Sequence, residues 1–119
     1  MRVIRKRPGE QAEIINIDNS LHALQHEVGG GIDALASQHG DVVLIFNGMG
    51  KNLDAKVNIA LESSTHKIVD CIYGTALIVG AMEDEFVSLD DATCDQYLKY
   101  LNEPNRTVSM PDECPVIRL

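Results

Sequence analysis

Hydrophobic positions recur every second residue in some stretches of the chain and every third or fourth in others, and the changes of period mark out its elements. Val3 to Arg7 reads as a short strand and Pro8-Gly9 as a turn. Ala12 to Ile17 alternates, with Ile15 and Ile17 on one face and Asn16 and Asp18 on the other, which predicts a half-buried strand and an N-terminal hairpin. Asp18-Asn19-Ser20 supplies helix-capping side chains, and Leu21, Leu24 and Val28 follow at helical spacing as a core face. Gly29-Gly30-Gly31 ends that helix, because glycine enters the left-handed cap conformation without a Cβ clash. Ile32 to Ser37 is a weaker strand and His39-Gly40-Asp41 a turn. Val42 to Phe46 is a continuous apolar run of the kind buried on both faces.

Beyond it, Asn47 to Asn52 is a polar, glycine-bearing loop, Val57 to Leu61 a short helical or irregular piece, and Glu62 to Lys67 a surface turn. Ile68 to Ala81 is largely apolar, with a bend at Gly74-Thr75 that leaves Ala76 to Val79 as a second buried strand. Glu83-Asp84-Glu85 is a solvated corner. Ser88-Leu89-Asp90-Asp91 has the outline of a capping box, opening a helix with Tyr97, Leu98 and Leu101 on its buried side. The pattern predicts one α+β domain over residues 1–101, a small mixed or antiparallel sheet with two main helices (about 20–28 and 89–101) packed on it. Residues 102–119, with Pro104, Pro111 and Pro115, read as an extended tail with one edge strand at Val116 to Arg118.

Composition narrows the functional classes. A chain of 119 residues makes one domain with a real core, and with 4% aromatics and no Trp that core is aliphatic. The formal net charge of −8 repels nucleic-acid polymers, so DNA and RNA are not expected partners. The charge is uneven: Arg2, Arg5, Lys6 and Arg7 crowd the start, and Glu83 to Asp95 is acidic. Cys71, Cys94 and Cys114 are odd in number and lack paired spacing, which predicts three free thiols and a cytoplasmic protein. No apolar run approaches the roughly 20 residues of a membrane span, and no hydrophobic region follows the basic start, so neither a membrane nor a signal peptide is expected.

Candidate chemistry is sparse. His22 and His26 stand four apart on the first helix, a spacing that can share a metal, but no third ligand accompanies them. Cys71 has His66 and Asp70 near it in sequence, yet its apolar neighbours predict a buried structural thiol. The glycine segments, Gly29 to Gly31 and Gly48-x-Gly50-Lys51, present backbone N–H groups suited to an anion, or serve only as a helix cap and a turn. Asn47, Asn52, Asn58, Tyr73 and Thr75 are neutral polar groups beside apolar strands, placed to read a ligand edge or to satisfy turn backbones. The expected ligand site is Asn47, Gly48, Lys51, Asn58, Tyr73 and Thr75 with the backbone of Gly30; no catalytic residue, metal or cofactor is expected.

Several segments in order resemble a known family. They are the Val3-Ile4 strand, Leu21 to Gln25 running into Val28-Gly29-Gly30-Gly31-Ile32-Asp33, and Phe46-Asn47-Gly48 with Gly50-Lys51. Asn58 with Ala60-Leu61, Asp70-Cys71-Ile72-Tyr73-Gly74-Thr75, Ile78-Val79-Gly80 and Phe86-Val87-Ser88-Leu89 follow. This order, over about residues 1–101, resembles small bacterial, phage and plasmid proteins filed as a domain of unknown function. The chain departs from that pattern in an extra glycine at position 30 or 31 and in Asp33 where glutamate is usual. The resemblance implies a phage or mobile-element setting, in which small non-enzymatic proteins blunt host defence. The expected function is therefore sequestration of a small nucleotide-like signal in the host cytoplasm. An acidic protein–protein inhibitor of a host defence protein, DNA-mimicking in charge, is the alternative. A homo-oligomer is expected, since a domain this small builds a larger cavity at a symmetric interface.

Overall fold

The computed structural model describes residues 1–119, apart from the side chains of residues 52 and 53. The elements run β1 (Arg2–Lys6), β2 (Glu13–Asn16), α1 (Leu21–Val28), β3 (Ile32–Ala36), β4 (Val42–Asn47), a 3-10 turn (Gly50–Leu53), β5 (Val57–Glu62) and β6 (Ile68–Tyr73). Then come β7 (Ala76–Met82), β8 (Glu85–Val87), α2 (Asp91–Asn102), β9 (Thr107–Ser109) and β10 (Glu113–Ile117). The fold is α+β, as the pattern predicts.

Strands form two sheets rather than one. The larger is antiparallel throughout, in the order β2-β1-β7-β4-β3, with β8 pairing the far half of β7. Its centre is the β4–β7 pair, where Leu44 faces Ile78 and Ile45 faces Leu77. Alternation sends Val42 and Leu44 to one face and Val43 and Ile45 to the other, and both faces are buried. Val43 and Ile45 meet Leu24 and Val28 of α1. Val42 and Leu44 meet the second sheet and α2. Continuous hydrophobicity in β4 follows from this double burial.

Helix α1 is held by local chemistry at each end. The Ser20 side chain accepts from the Ala23 N–H at 3.1 Å, a cap worth about 1 kcal/mol. Gly29 closes the helix at φ 82°. Leu24 and Val28 are buried, whereas Leu21, expected on the same face, is 58% exposed in the first turn. Helix α2 starts later than expected: Asp90, not Ser88, is its cap and accepts from the Thr93 N–H at 2.7 Å. Ser88 instead accepts from the Arg2 backbone N–H. Cys94, Tyr97 and Leu101 of α2 are buried against Ile4 and Ile117.

The second sheet corrects two expectations. Residues 57–61 are strand β5, not a helical or irregular piece; a short buried apolar run does not separate the two by periodicity. Residues 102–119 do not trail away as a tail. β10 lies inside the sheet β6-β5-β10-β9, antiparallel to β9 and parallel to β5. Its Cys114, Val116 and Ile117 are buried, and that burial draws the segment in. Pro115 is tolerated inside this strand because Val116 N–H donates toward the β9 side, to Arg106 O. The Pro115 nitrogen therefore faces β5, where pairing starts only at Val116.

Candidate functional site

The expected ligand residues divide into two groups. Asn47, Gly48, Lys51 and Tyr73 come together on a cavity of about 210 Å³ between β3, β4 and β6. Asp33, Leu35, Phe46, Asp70 and Cys71, which the pattern did not single out for it, line the same space. The close approach there requires glycine at position 50, since a Cβ would lie 2.8 Å from the Tyr73 carbonyl oxygen. Asn47 is committed internally: its Nδ2 donates to Val28 O and its Oδ1 accepts from the Met49 N–H at 2.8 Å. Gly30 packs against that same amide, so its part is also structural in geometry. Lys51 Nζ is 3.2 Å from Asp70 Oδ1 and 5.7 Å from the Tyr73 ring centre. The hydrogen bond to Asp70 raises the Lys51 pKa above its ordinary value. Asp33 and Asp70 both line the space that holds this one ammonium, an unfavourable charge balance for an anion.

Asn58 and Thr75 lie outside this cavity. Asn58 is 0% exposed and fully engaged: Nδ2 donates to Lys6 O and to Gly74 O, each at 2.8 Å, and Oδ1 accepts from Lys6 Nζ. Lys6 is itself only 4% exposed, and burial lowers its pKa. Asn52, another of the neutral polar groups beside the apolar strands, has its side chain outside the described residues. The basic start of the chain is likewise used internally: Arg2 pairs with Asp91 at 2.7 Å, and Arg5 bridges Glu13 and Glu27 at 2.6 and 2.9 Å.

A second cavity, of about 500 Å³, lies where the end of α2, the β5–β6 turn and the end of β10 meet. Arg106 Nη1 reaches Glu62 Oε2 at 3.2 Å and His66 O at 2.8 Å. Arg118 Nη2 reaches Glu62 Oε1 at 3.3 Å and His66 Nδ1 at 2.9 Å. A guanidinium only donates, so His66 Nδ1 accepts and the ring proton sits on Nε2. His66 holds φ 63°, a left-handed backbone costly for a side chain, at the turn that brings its ring to Arg118. Tyr100 on α2 completes the wall, its hydroxyl fixed by Gln96 Nε2 at 2.6 Å. The register explains the meeting: Val116 and Ile117 pair with Ala60 and Leu61, so the next step sets Arg118 beside Glu62. No spacing in the chain announces this, because Glu62 and Arg118 become neighbours only through a parallel pairing of distant strands.

The other candidate groups stand apart. His22 and His26 are exposed on α1, and no third metal-binding side chain joins them among the described residues. All three cysteines are free; burial raises the pKa of each thiol, and Cys71 Sγ lies 3.6 Å from Met110 Sδ. Among the described residues no helix is long and apolar enough to cross a membrane. Comparison with curated proteins and with solved structures gives no match. The model of a family described as a domain of unknown function (DUF3846) matches residues 1–102, and the chain belongs to that family.

Proposed function

We propose that this protein is a binding protein that sequesters a small nucleotide-like anion, held in the cavity of Arg106, Arg118, His66 and Tyr100. The observation that carries this reading is the convergence of two guanidiniums on one carboxylate in a chain of net charge −8. Among the described contacts Arg106 uses Nη1 alone and Arg118 Nη2 alone, which leaves further N–H groups of each fork for a phosphate. Tyr100, 38% exposed, offers a ring on which a base can stack. A volume of about 500 Å³ falls within the range of small-molecule pockets, whereas about 210 Å³ at Lys51 does not. In the phage or mobile-element setting that the resemblance implies, such a trap lowers the level of a host defence signal.

The test is a thermal-shift screen of nucleotides, followed by calorimetry on the best ligand. Arg106→Met and Arg118→Met are each expected to weaken binding by about 10- to 100-fold, the range of a lost charge-assisted hydrogen bond. His66→Gly relieves the left-handed turn and removes the acceptor that orients Arg118, so it should melt no lower than wild type while binding less tightly. Lys51→Ala should bind as wild type does. If the Arg ion pairs only clasp β10 to the β5–β6 turn, the arginine variants will lose stability and leave affinity unchanged, and the proposal fails. The inhibitor reading rests on a different surface: Asp41, Glu83, Asp84 and Glu85 rim a cavity of about 500 Å³ beside the exposed Met82 and half-buried Phe86. Stabilisation by a basic host protein, abolished by charge reversal at Glu83 to Glu85 and indifferent to the arginine variants, would favour that reading instead.

A further inference from the structure

We infer that the cavity between β3, β4 and β6 is a subsite for a ligand cation, an ammonium or guanidinium on an aliphatic stem, with Lys51 as its built-in occupant. Lys51 reaches in from the 3-10 turn, and its Nζ touches the Asp70 carboxylate while standing over the Tyr73 ring within cation–π range. A cation site consists of those two elements, a carboxylate and a ring face, and here the chain's own ammonium fills it. Asp33, a second acidic residue, also lines the space, so its walls carry two carboxylate residues and one lysine. Asp33 and Asp70 each accept one neighbouring backbone N–H, from Ala34 and Cys71, and both keep lone pairs for a ligand. Half-buried Leu35 and Phe46 supply an apolar wall for an alkyl stem, the arrangement long cationic side chains favour. A volume of about 210 Å³ suits a side-chain-sized group rather than a nucleotide.

Lys51 is a weak occupant. Its side chain is 64% exposed and that of Asp70 is 45% exposed, so water competes for both. A ligand cation displaces it at little cost, and the net charge of −8 raises the local concentration of cations. This subsite is independent of the arginine cavity and of any anion bound there.

The probe is n-butylammonium, titrated into wild type and Lys51→Ala while the backbone amides of Gly48, Gly50 and Tyr73 are followed by NMR. Removing the internal occupant should tighten binding about fivefold, the scale of one exposed ion pair and one exposed cation–π contact. Asp70→Asn, added to Lys51→Ala, should cancel the response without altering the melt, and neutral n-butanol should give none. Spermidine and a capped tripeptide with one lysine then identify the source of the cation. Tighter binding of the tripeptide assigns the site to a polypeptide side chain, and tighter binding of spermidine assigns it to a free polyamine. Equal affinity in wild type and Lys51→Ala, an equal response to butanol, or binding that survives Asp70→Asn overturns the inference.

Discussion

Ile45→Asp should yield no folded protein. Ile45 is 0% exposed in the middle of β4, paired with Leu77 on one side and Ala34 on the other, and its side chain points into the layer under α1. The buried side chains around it, Val3, Leu24, Val28, Val43, Leu77 and Val79, are all aliphatic and offer a carboxylate no partner. An unpaired buried charge costs several kcal/mol, and the lost burial of the isoleucine adds about 2 kcal/mol. Domains of this kind are stable by only about 5–15 kcal/mol. Far-UV circular dichroism and gel filtration of refolded material check this, and a cooperative melt at the wild-type temperature would show that β4 is not core. Ile45→Val serves as the control and should cost about 1 kcal/mol.

Asn58→Leu should be the most damaging change among the residues expected to bind ligand, and for a reason unrelated to binding. It removes the Asn58 donor from Lys6 O and Gly74 O and leaves Lys6 Nζ with Arg7 O alone, all in the junction between β1, β5 and the β6–β7 bend. At about 1–3 kcal/mol for each of the two carbonyls, the loss is on the order of 4 kcal/mol. A urea-midpoint shift smaller than a quarter of that would contradict the buried network. The same junction predicts a pH dependence. Burial lowers the folded-state pKa of Lys6, so the unfolded chain holds the proton more tightly. The Lys6 contribution to stability is therefore complete above the ordinary lysine pKa of about 10.4 and is lost as pH falls through the lowered value. Urea midpoints of wild type and Lys6→Met, compared from neutral pH to about pH 10.5, should move in favour of wild type as pH rises; parallel curves would mean that Lys6 is not buried as a charge.

Local chemistry made much of the fold legible. The glycine cap of α1, the Ser20 side chain, the double-faced run in β4 and the N-terminal hairpin are all written over a few adjacent residues. The free, unpaired thiols were also readable, from count and spacing alone. Part of the site was readable in the same way: Gly48, Gly50 and Lys51 adjoin in sequence, and a turn necessarily keeps them together. What those residues face was not readable. Asp33 and Asp70 come from two different sheets, and they change the charge of the cavity that Lys51 enters.

Sequence by itself determined the class of the fold, the positions of its central strands and helices, the aliphatic core, and membership of a family over residues 1–102. Each depends on period, capping chemistry or residue order, which act over one element or are copied along the chain. Tertiary structure alone decided that β5 is a strand, that the proline-bearing end enters the second sheet, and that Asn58 is a buried tie to Lys6. It also brought Arg106, Arg118, His66 and Glu62 to one point. Those outcomes depend on which strand edge remains open when the core closes. An open edge beside buried apolar residues accepts whatever segment can hydrogen-bond to it and bury its own side chains. For β5 that segment is β10, more than fifty residues away, and the arginine that follows β10 arrives beside Glu62 only because of that parallel pairing.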